Sequence, residues 1–422
     1  MLTGKIKLLC PLGNLAAEVK IPTFTFEFLL RTRKKIFMNS PKTSRIEIKT
    51  VESKADWKAF IFFPWEIYKN DPVWVAPLKD SYKKVFQKEK NPFFLHGDMQ
   101  TFIAVQNGKV VGRIAAIINH LHNETWKDRV GFFGFFECIN EQEVANALLD
   151  SAKAWLEERG YSHMRGPASP SSNEDYGVMI DGFDQQHVIL STYNARWYYD
   201  LYVGYGLQPI KKLFAFKFDG LKILEKNKER IDRIEAALKH RLNFELVDLD
   251  MKRFDEGVKT FRGLFNKAWT TVNNHGWVPL TDAEFDNITT ELKQITDPRL
   301  VMLAKVDGEV VGGCICLPDY NEVFRSWKGN LFPFNWIDMF TKAKKIKCVR
   351  IVILGVLPEY QRKGLDALMY LQITKRGLER GATWAEASYI VEDNEPMKRP
   401  LLNIGGEIYK TYQVMETPIG LK

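Results

Sequence analysis

Two stretches of this 422-residue chain, 200 positions apart, carry nearly the same text. Phe102-Ile-Ala-Val-Gln-Asn-Gly-Lys-Val-Val-Gly112 matches Met302-Leu-Ala-Lys-Val-Asp-Gly-Glu-Val-Val-Gly312, with the alanine, the turn glycine, two valines and the closing glycine in common. Each copy reads as a hairpin: an apolar strand, an Asn-Gly or Asp-Gly turn, then a second strand. The ends of the halves also correspond. Tyr205-Gly206-Leu207-Gln208 leads into the strand-like Leu213–Phe218, and Gly405-Gly406-Glu407-Ile408 leads into Tyr412–Glu416. Two matches at nearly one offset predict a duplicated module of about 180–200 residues, large enough for each copy to bury a core.

The patterning inside the halves agrees. Helical periodicity at Trp57–Lys69 and Asp255–Trp269 precedes each hairpin, and a long apolar strand follows it, Val130–Cys138 in one half and Cys348–Val356 in the other. Each strand feeds an amphipathic helix, Glu143–Glu158 and Leu365–Arg380, before another strand, another helix and a final strand pair. Such alternation predicts an α/β protein, of the mixed-sheet α+β kind, in two modules. The expected divisions are a basic leader at 1–44, a first domain at 45–219, a connecting helix at 220–244 and a second domain at 245–422.

Composition narrows the function classes. With 45% hydrophobic and 27% charged residues the chain is neither disordered nor collagenous. The formal net charge of +8 suggests an anionic partner, but residues 1–37 alone contribute +5. The remaining +3 is too small to predict nucleic-acid binding. That leader places an apolar run, interrupted by Glu27, ahead of its basic cluster, the reverse of a signal peptide, and is expected to lie outside the folded protein or before a true start at Met38. No run is apolar enough to span a bilayer. Five cysteines (10, 138, 314, 316 and 348) form no Cys-x-x-Cys pair, so reduced thiols and a cytoplasmic setting are expected, with no metal site.

The strongest local signal is Ile353-Leu-Gly-Val-Leu-Pro-Glu-Tyr-Gln-Arg-Lys-Gly-Leu-Asp366. A buried strand ends, Pro358 and Gly364 break the chain, and a helix starts at Leu365. That turn points free backbone N–H groups and the positive end of a helix dipole at one place, a site suited to a pyrophosphate.

Gln361-Arg-Lys-Gly364-Leu-Asp366 resembles the Gln/Arg-x-x-Gly-x-Gly/Ala signature of the GCN5-related N-acetyltransferases (GNAT). The resemblance continues through Trp384-Ala-Glu-Ala-Ser388, Asn394 and Gly405-Gly406, covering residues ~245–416. It implies acetyl-CoA or another acyl-CoA as co-substrate. By position, Leu354 and Val356 would pair with the pantetheine arm. Gln361, Arg362, Lys363, Gly364, Leu365 and Asp366 would hold the pyrophosphate, and Asn394 would contact the arm. Two departures stand out. Asp366 replaces the last small residue of the signature, and its carboxylate must turn away from a bound pyrophosphate. Leu401 occupies the place of the family's general-acid tyrosine, so that role passes to Tyr409 or Tyr412.

An amine acceptor with a pKa near ~10.4 costs about 4–5 kcal/mol to deprotonate at neutral pH, so a base is expected, with Glu386 first and Glu392 and Asp393 behind it. The acceptor would be a small-molecule or peptide amine. The first half resembles the family only faintly: Asn140-Glu-Gln-Glu143 contains no glycine where the phosphate loop would be. Its acidic loop from Arg165 to Asp184, flanked by Trp197, Tyr198 and Tyr199, either presents a surface to a cationic acceptor or is a long connection ordered by Asx turns. Two other readings stay open: a tandem aminoacyltransferase drawing on aminoacyl-tRNA, and a non-catalytic binding module.

Overall fold

The computed structural model describes residues 45–241, 243–269, 278–361 and 363–420, so the basic leader and Arg362 lie outside the described residues. In chain order the strands and principal helices are β1 (Glu47–Thr50), α1 (Lys54–Ile67), β2 (Gly97–Gln106), β3 (Lys109–Asn119), β4 (Val130–Cys138), α2 (Gln142–Glu157), β5 (His163–Gly166), β6 (Ala168–Ser169), β7 (Asp175–Tyr176), β8 (Val178–Asp181), α3 (Tyr198–Tyr205) and β9 (Gln208–Asp219). The second half follows as α4 (Gly220–Arg241), β10 (Phe244–Asp248), α5 (Phe254–Trp269), α6 (Asp282–Leu292), β11 (Val301–Val306), β12 (Glu309–Pro318), β13 (Cys348–Val356), α7 (Leu365–Arg380), β14 (Trp384–Val391), α8 (Glu395–Ile404) and β15 (Glu407–Pro418).

Both repeated segments are hairpins. Asn107 and Gly108 have φ of 52° and 74°, and Asp307 and Gly308 of 52° and 83°, the left-handed pair that a two-residue turn matching strand twist requires. Helix starts are likewise local: Ser53 with Asp56, and Thr281 with Glu284, form reciprocal capping boxes at α1 and α6.

Thirteen strands make one sheet in the order β1-β2-β3-β4-β5-β15-β9-β14-β13-β12-β11-β10, with β8 also on β15. Read from either edge inward, each half contributes five strands in sequence order, the last two parallel. At the centre the halves exchange. β9, which closes the first half, pairs with β14 of the second, while β15 pairs with β5 and β8 of the first. β9 and β15 also pair with each other from Glu407↔Lys217 to Glu416↔Gln208. These strands can be central because both faces are apolar or covered: Leu213, Ala215, Phe216, Phe218, Tyr412, Val414 and Met415 are all buried.

One sheet face carries α7, whose Leu365, Leu368, Met369 and Leu371 pack on Ile351, Leu354, Ala387 and Ile390. On the opposite face Phe261 of α5 and Phe285 of α6 cluster with Val301. Residues 319–347, the connection between β12 and β13, pack there on Val188 and Ile189. No helix among the described residues is long and apolar enough to cross a membrane.

Candidate functional site

The parallel pairing of β13 with β14 runs from Cys348↔Trp384 to Ile351↔Ala387 and then stops. Beyond that point β13 follows β12 as far as Val356, while β14 follows β9 through Ile390↔Phe214. The strands therefore splay into a V. The N–H of Leu357 donates to the Val311 carbonyl at 2.8 Å, which makes 357/311 a hydrogen-bonded pair. By antiparallel alternation, Leu354 (opposite Cys314) and Val356 (opposite Gly312) direct their backbone N–H and C=O groups away from β12 and into the V.

The V leads to the loop before α7. Gly364 sits at φ 90°, a left-handed conformation that glycine adopts without strain, and Leu365 begins the helix. The first helical bond at this end runs from the N–H of Leu368 to the Gly364 carbonyl, 3.0 Å, so the N–H groups of Leu365, Asp366 and Ala367 belong to the open first turn. The Leu365 side chain anchors that turn in the core. Gln361 Nε2 donates to the Val356 carbonyl at 3.1 Å, tying the loop to the strand end. Lys363 Nζ lies 4.6 Å from the Tyr360 ring centroid. Asp366 is half-buried in the same turn. Asn394, half-buried, stands past the far end of β14 as the cap residue of α8.

At the base of the V, on the face opposite α7, Glu386 is completely buried. Its carboxylate accepts from Ser388 Oγ at 2.7 Å and from the Tyr409 hydroxyl, and Arg350 Nη1 lies 3.8 Å away. The structure thus brings the two sequence candidates, Glu386 and Tyr409, into one hydrogen bond. Tyr412 instead stands edge-on against Tyr389 in the core. Leu401, on α8 itself, is buried in the core with α7. Glu392 and Asp393 bond at the end of β14 to the Lys212 N–H and Lys211 Nζ.

Arg350 was not singled out from the sequence, although a lone cation inside Cys348-Val-Arg-Ile-Val-Ile-Leu354 is a usable signal. It donates to the Ile189 carbonyl at 2.5 Å, so the 186–189 loop of the first half closes over it. Lys410 of β15 donates its Nζ to the Gln186 carbonyl of that loop at 2.5 Å, with burial lowering its pKa against the pull of Glu386. Asp319, also missed, accepts from the N–H groups of Ile189 (2.8 Å) and Asn321 (3.1 Å), and burial pushes its carboxyl up to about 7.

The acidic loop of the first half reaches this place. Glu174 and Asp175 have exposed surface, yet the protein packed around them raises both carboxyls, Asp175 to about 6. Glu174 feels Asp175, Glu284 and Glu291, while Arg350 opposes the rise at Asp175. These two acids thus stand between the carboxylates of α6 and the Arg350 guanidinium of the sheet.

The first half also splays, since β4 and β5 pair only over Val130–Phe132. Here the open edge is taken. Ile139 N–H bonds to the Val111 carbonyl at 3.0 Å, so Cys138 occupies the position that Val356 has in the second half. Its N–H donates to the Tyr198 hydroxyl at 2.9 Å and its carbonyl accepts from Trp197 Nε1 at 3.0 Å. Tyr198 in turn donates to Glu137, as does Tyr68, each at 2.7 Å. Trp197 and Tyr198, read from sequence as flanks of a loop that is either an acceptor surface or a long connection, bond to the open edge of β4 in their own half.

This wedge, glycine loop and helix start define an acyl-CoA-type transferase fold, and residues 260–399 match the acetyltransferase (GNAT) family. The chain is 32% identical to the bacterial ceramide synthase of Caulobacter vibrioides over 373 residues, 87% of this chain and 96% of that one. It is 31% identical to Protein YghO of Escherichia coli over 384 residues, 88% and 95% of the two chains. Among solved structures it is similar to a tandem GNAT protein from the clavulanic acid biosynthesis pathway, at TM-score 0.53 and 11% identity, covering 90% of this chain and all of that one. The chain belongs to the GNAT acyltransferase family, with two GNAT-like modules in tandem.

Proposed function

We propose that this protein is a cytoplasmic N-acyltransferase that moves the acyl chain of an acyl-CoA onto the primary amine of a long-chain amino alcohol. The observation that carries the reading is the asymmetry of the two wedges. The second half leaves the Leu354 backbone groups and the Val356 N–H facing a V that ends at Gly364, with only the Val356 carbonyl taken, by the side chain of Gln361. The first half occupies the equivalent Cys138 groups with Trp197 and Tyr198. One acyl-CoA per chain is the consequence: its pantetheine on β13, its pyrophosphate on the turn from Gln361 through Arg362 to Asp366, and Asn394 along the arm.

The amine enters past the exposed Glu174 and Asp175, where the Asp175 carboxylate, ionised above pH about 6, draws an ammonium group. Glu386 takes its proton, the freed nitrogen attacks the thioester carbonyl, and the C–S bond breaks as the amide forms. Tyr409, hydrogen-bonded to the same carboxylate, gives its hydroxyl proton to the CoA thiolate and takes the second proton that the nitrogen loses as the amide forms. The long-chain acceptor follows from the ceramide synthase name of the Caulobacter relative.

Calorimetric titration of the full chain with acetyl-CoA and palmitoyl-CoA tests the site, and CoA release with sphinganine against short hydrophilic amines tests the acceptor. One site per chain is expected, weakened roughly tenfold or more by Gly364→Val. Absence of binding at millimolar acyl-CoA, or binding indifferent to that substitution, refutes the site. Turnover with short amines alone refutes the acceptor.

A further inference from the structure

We infer that the segment between β12 and β13 docks this protein on the surface of an anionic phospholipid bilayer. The corresponding connection in the first half, between β3 and β4, takes ten residues (120–129), whereas this one takes 29 (319–347). Five of the thirteen exposed large apolar side chains among the described residues fall within it: Phe332, Phe334, Trp336, Ile337 and Phe340. They include every exposed phenylalanine and tryptophan among the described residues, and the three phenylalanines are 68%, 73% and 72% exposed. Such a concentration on one short segment is not the scattered exposure of an ordinary surface.

The segment is held firmly at its base. Trp327, buried, donates Nε1 to Asp338 at 3.1 Å, and Trp65 of the first half donates Nε1 to the Lys328 carbonyl at 2.9 Å. Lys79 Nζ reaches Asn330 at 3.0 Å, and Arg380 Nη2 reaches the Ala343 carbonyl at 3.1 Å. Trp336 and Phe340 meet edge to face at 6.2 Å. The aromatic tips are thus presented by an ordered platform and owe their exposure to the fold.

Charge identifies the occupant. Between Arg325 and Lys347 stand six cations and one acid, Asp338, with Lys342, Lys344 and Lys345 exposed directly after the aromatic run. Aromatic and aliphatic side chains flanked by lysines match the interface of an anionic leaflet, where rings sit at headgroup level and lysines meet phosphates. A second copy of this chain would place like charges together. The segment also rests on Val188 and Ile189, in the loop whose backbone holds Asp319 and Arg350, so a docked bilayer would lie near the buried Arg350 and Glu386.

Co-sedimentation of the full chain with phosphatidylcholine vesicles, with and without phosphatidylglycerol, tests this. The protein should pellet with the anionic vesicles and much less with the neutral ones. The triple variant Phe332→Ser, Phe334→Ser, Phe340→Ser should lose roughly tenfold or more of that binding while keeping its melting temperature. Replacing Lys342, Lys344 and Lys345 by Gln should weaken binding and flatten its dependence on salt. Failure of the wild type to pellet with anionic vesicles overturns the inference, and so does undiminished pelleting of the serine variant. A dimer in solution that the serine variant dissolves assigns the patch to a second copy and equally overturns it. Vesicle binding requires neither acyl-CoA nor acceptor, so its failure leaves the acyl-transfer reading standing.

Discussion

Glu386 is held so completely that two roles compete for it. A carboxylate 3.8 Å from Arg350, bonded by Ser388 and Tyr409 and sealed from water, is also a structural ion pair. Glu386→Gln separates the roles: as the base, its loss should lower kcat by about a hundredfold or more while acyl-CoA affinity stays within about twofold. Retained turnover would leave Glu386 as a structural partner of Arg350. His187 offers a pH test in the same loop. Its Nδ1 accepts from the Val75 N–H at 3.1 Å and its Nε2 donates to the Ser191 carbonyl at 2.9 Å, an arrangement only neutral imidazole satisfies. Burial, then nearby Lys410, depresses its pKa from 6.5 to about 3. A depressed folded pKa means that stability is fully present above pH ~6.5 and lost as pH falls toward 3. Asp319, raised to about 7, works oppositely, since its folded form keeps a proton that the unfolded chain releases above pH ~4. The wild-type advantage over His187→Gln in denaturant unfolding should therefore shrink by about 2 kcal/mol between pH 7 and pH 5. A constant advantage would mean that His187 stays neutral in both states or charged in both.

At the level of elements, the two halves use one strand-and-helix plan with opposite outcomes. In the second, β13 ends in a glycine turn and its edge stays open. In the first, α3 carries Trp197 and Tyr198 back onto the edge of β4, and Tyr198 also satisfies buried Glu137. Tyr198→Phe strips the acceptor from the Cys138 N–H and one donor from Glu137, so unfolding free energy should fall by about 1–3 kcal/mol, with acyl-CoA stoichiometry still one per chain. A second binding site appearing in this variant would mean that the plug masks a working wedge. The elements themselves were readable because they are local. Asn-Gly and Asp-Gly turns set both hairpins, and alternating apolar runs placed β4, β13 and α7 within a residue of where they lie. Glu386 was legible only as a strand carboxylate beside the cofactor site that the family resemblance implied. Its burial was not, and neither was its pairing: Arg350 is 36 residues away and Tyr409 23, and nothing in either neighbourhood encodes the parallel β13–β14 register or the antiparallel β14–β9–β15 pairing that brings them to it.

Across the molecule, the same blindness to distant pairing hid the exchange of β9 and β15, which apolar patterning alone would place each in its own half. The exchange makes the halves interdependent. Arg165 of β5 bonds Glu416 of β15 at 2.7 Å, His96 lies 2.9 Å from Glu284 of α6, and Asn173 Nδ2 donates to the Val278 carbonyl at 2.8 Å. Residues 45–219 alone would keep β9 without β14 and β15, and β5 without β15. Leu213, Phe216 and Phe218, each no more than 3% exposed in the intact chain, would then lose most of their cover. At about 1.5–3 kcal/mol for each large apolar side chain, that loss amounts to roughly 5–9 kcal/mol, as much as the whole net stability of many domains. The fragments 45–219 and 220–422 should each be insoluble or unfolded when made separately, and a soluble complex should form when they are produced together. The intact chain should melt in one calorimetric transition whose van't Hoff and calorimetric enthalpies agree. Either fragment folding alone, or two resolved transitions, would show that the exchanged strands are dispensable to the halves they complete.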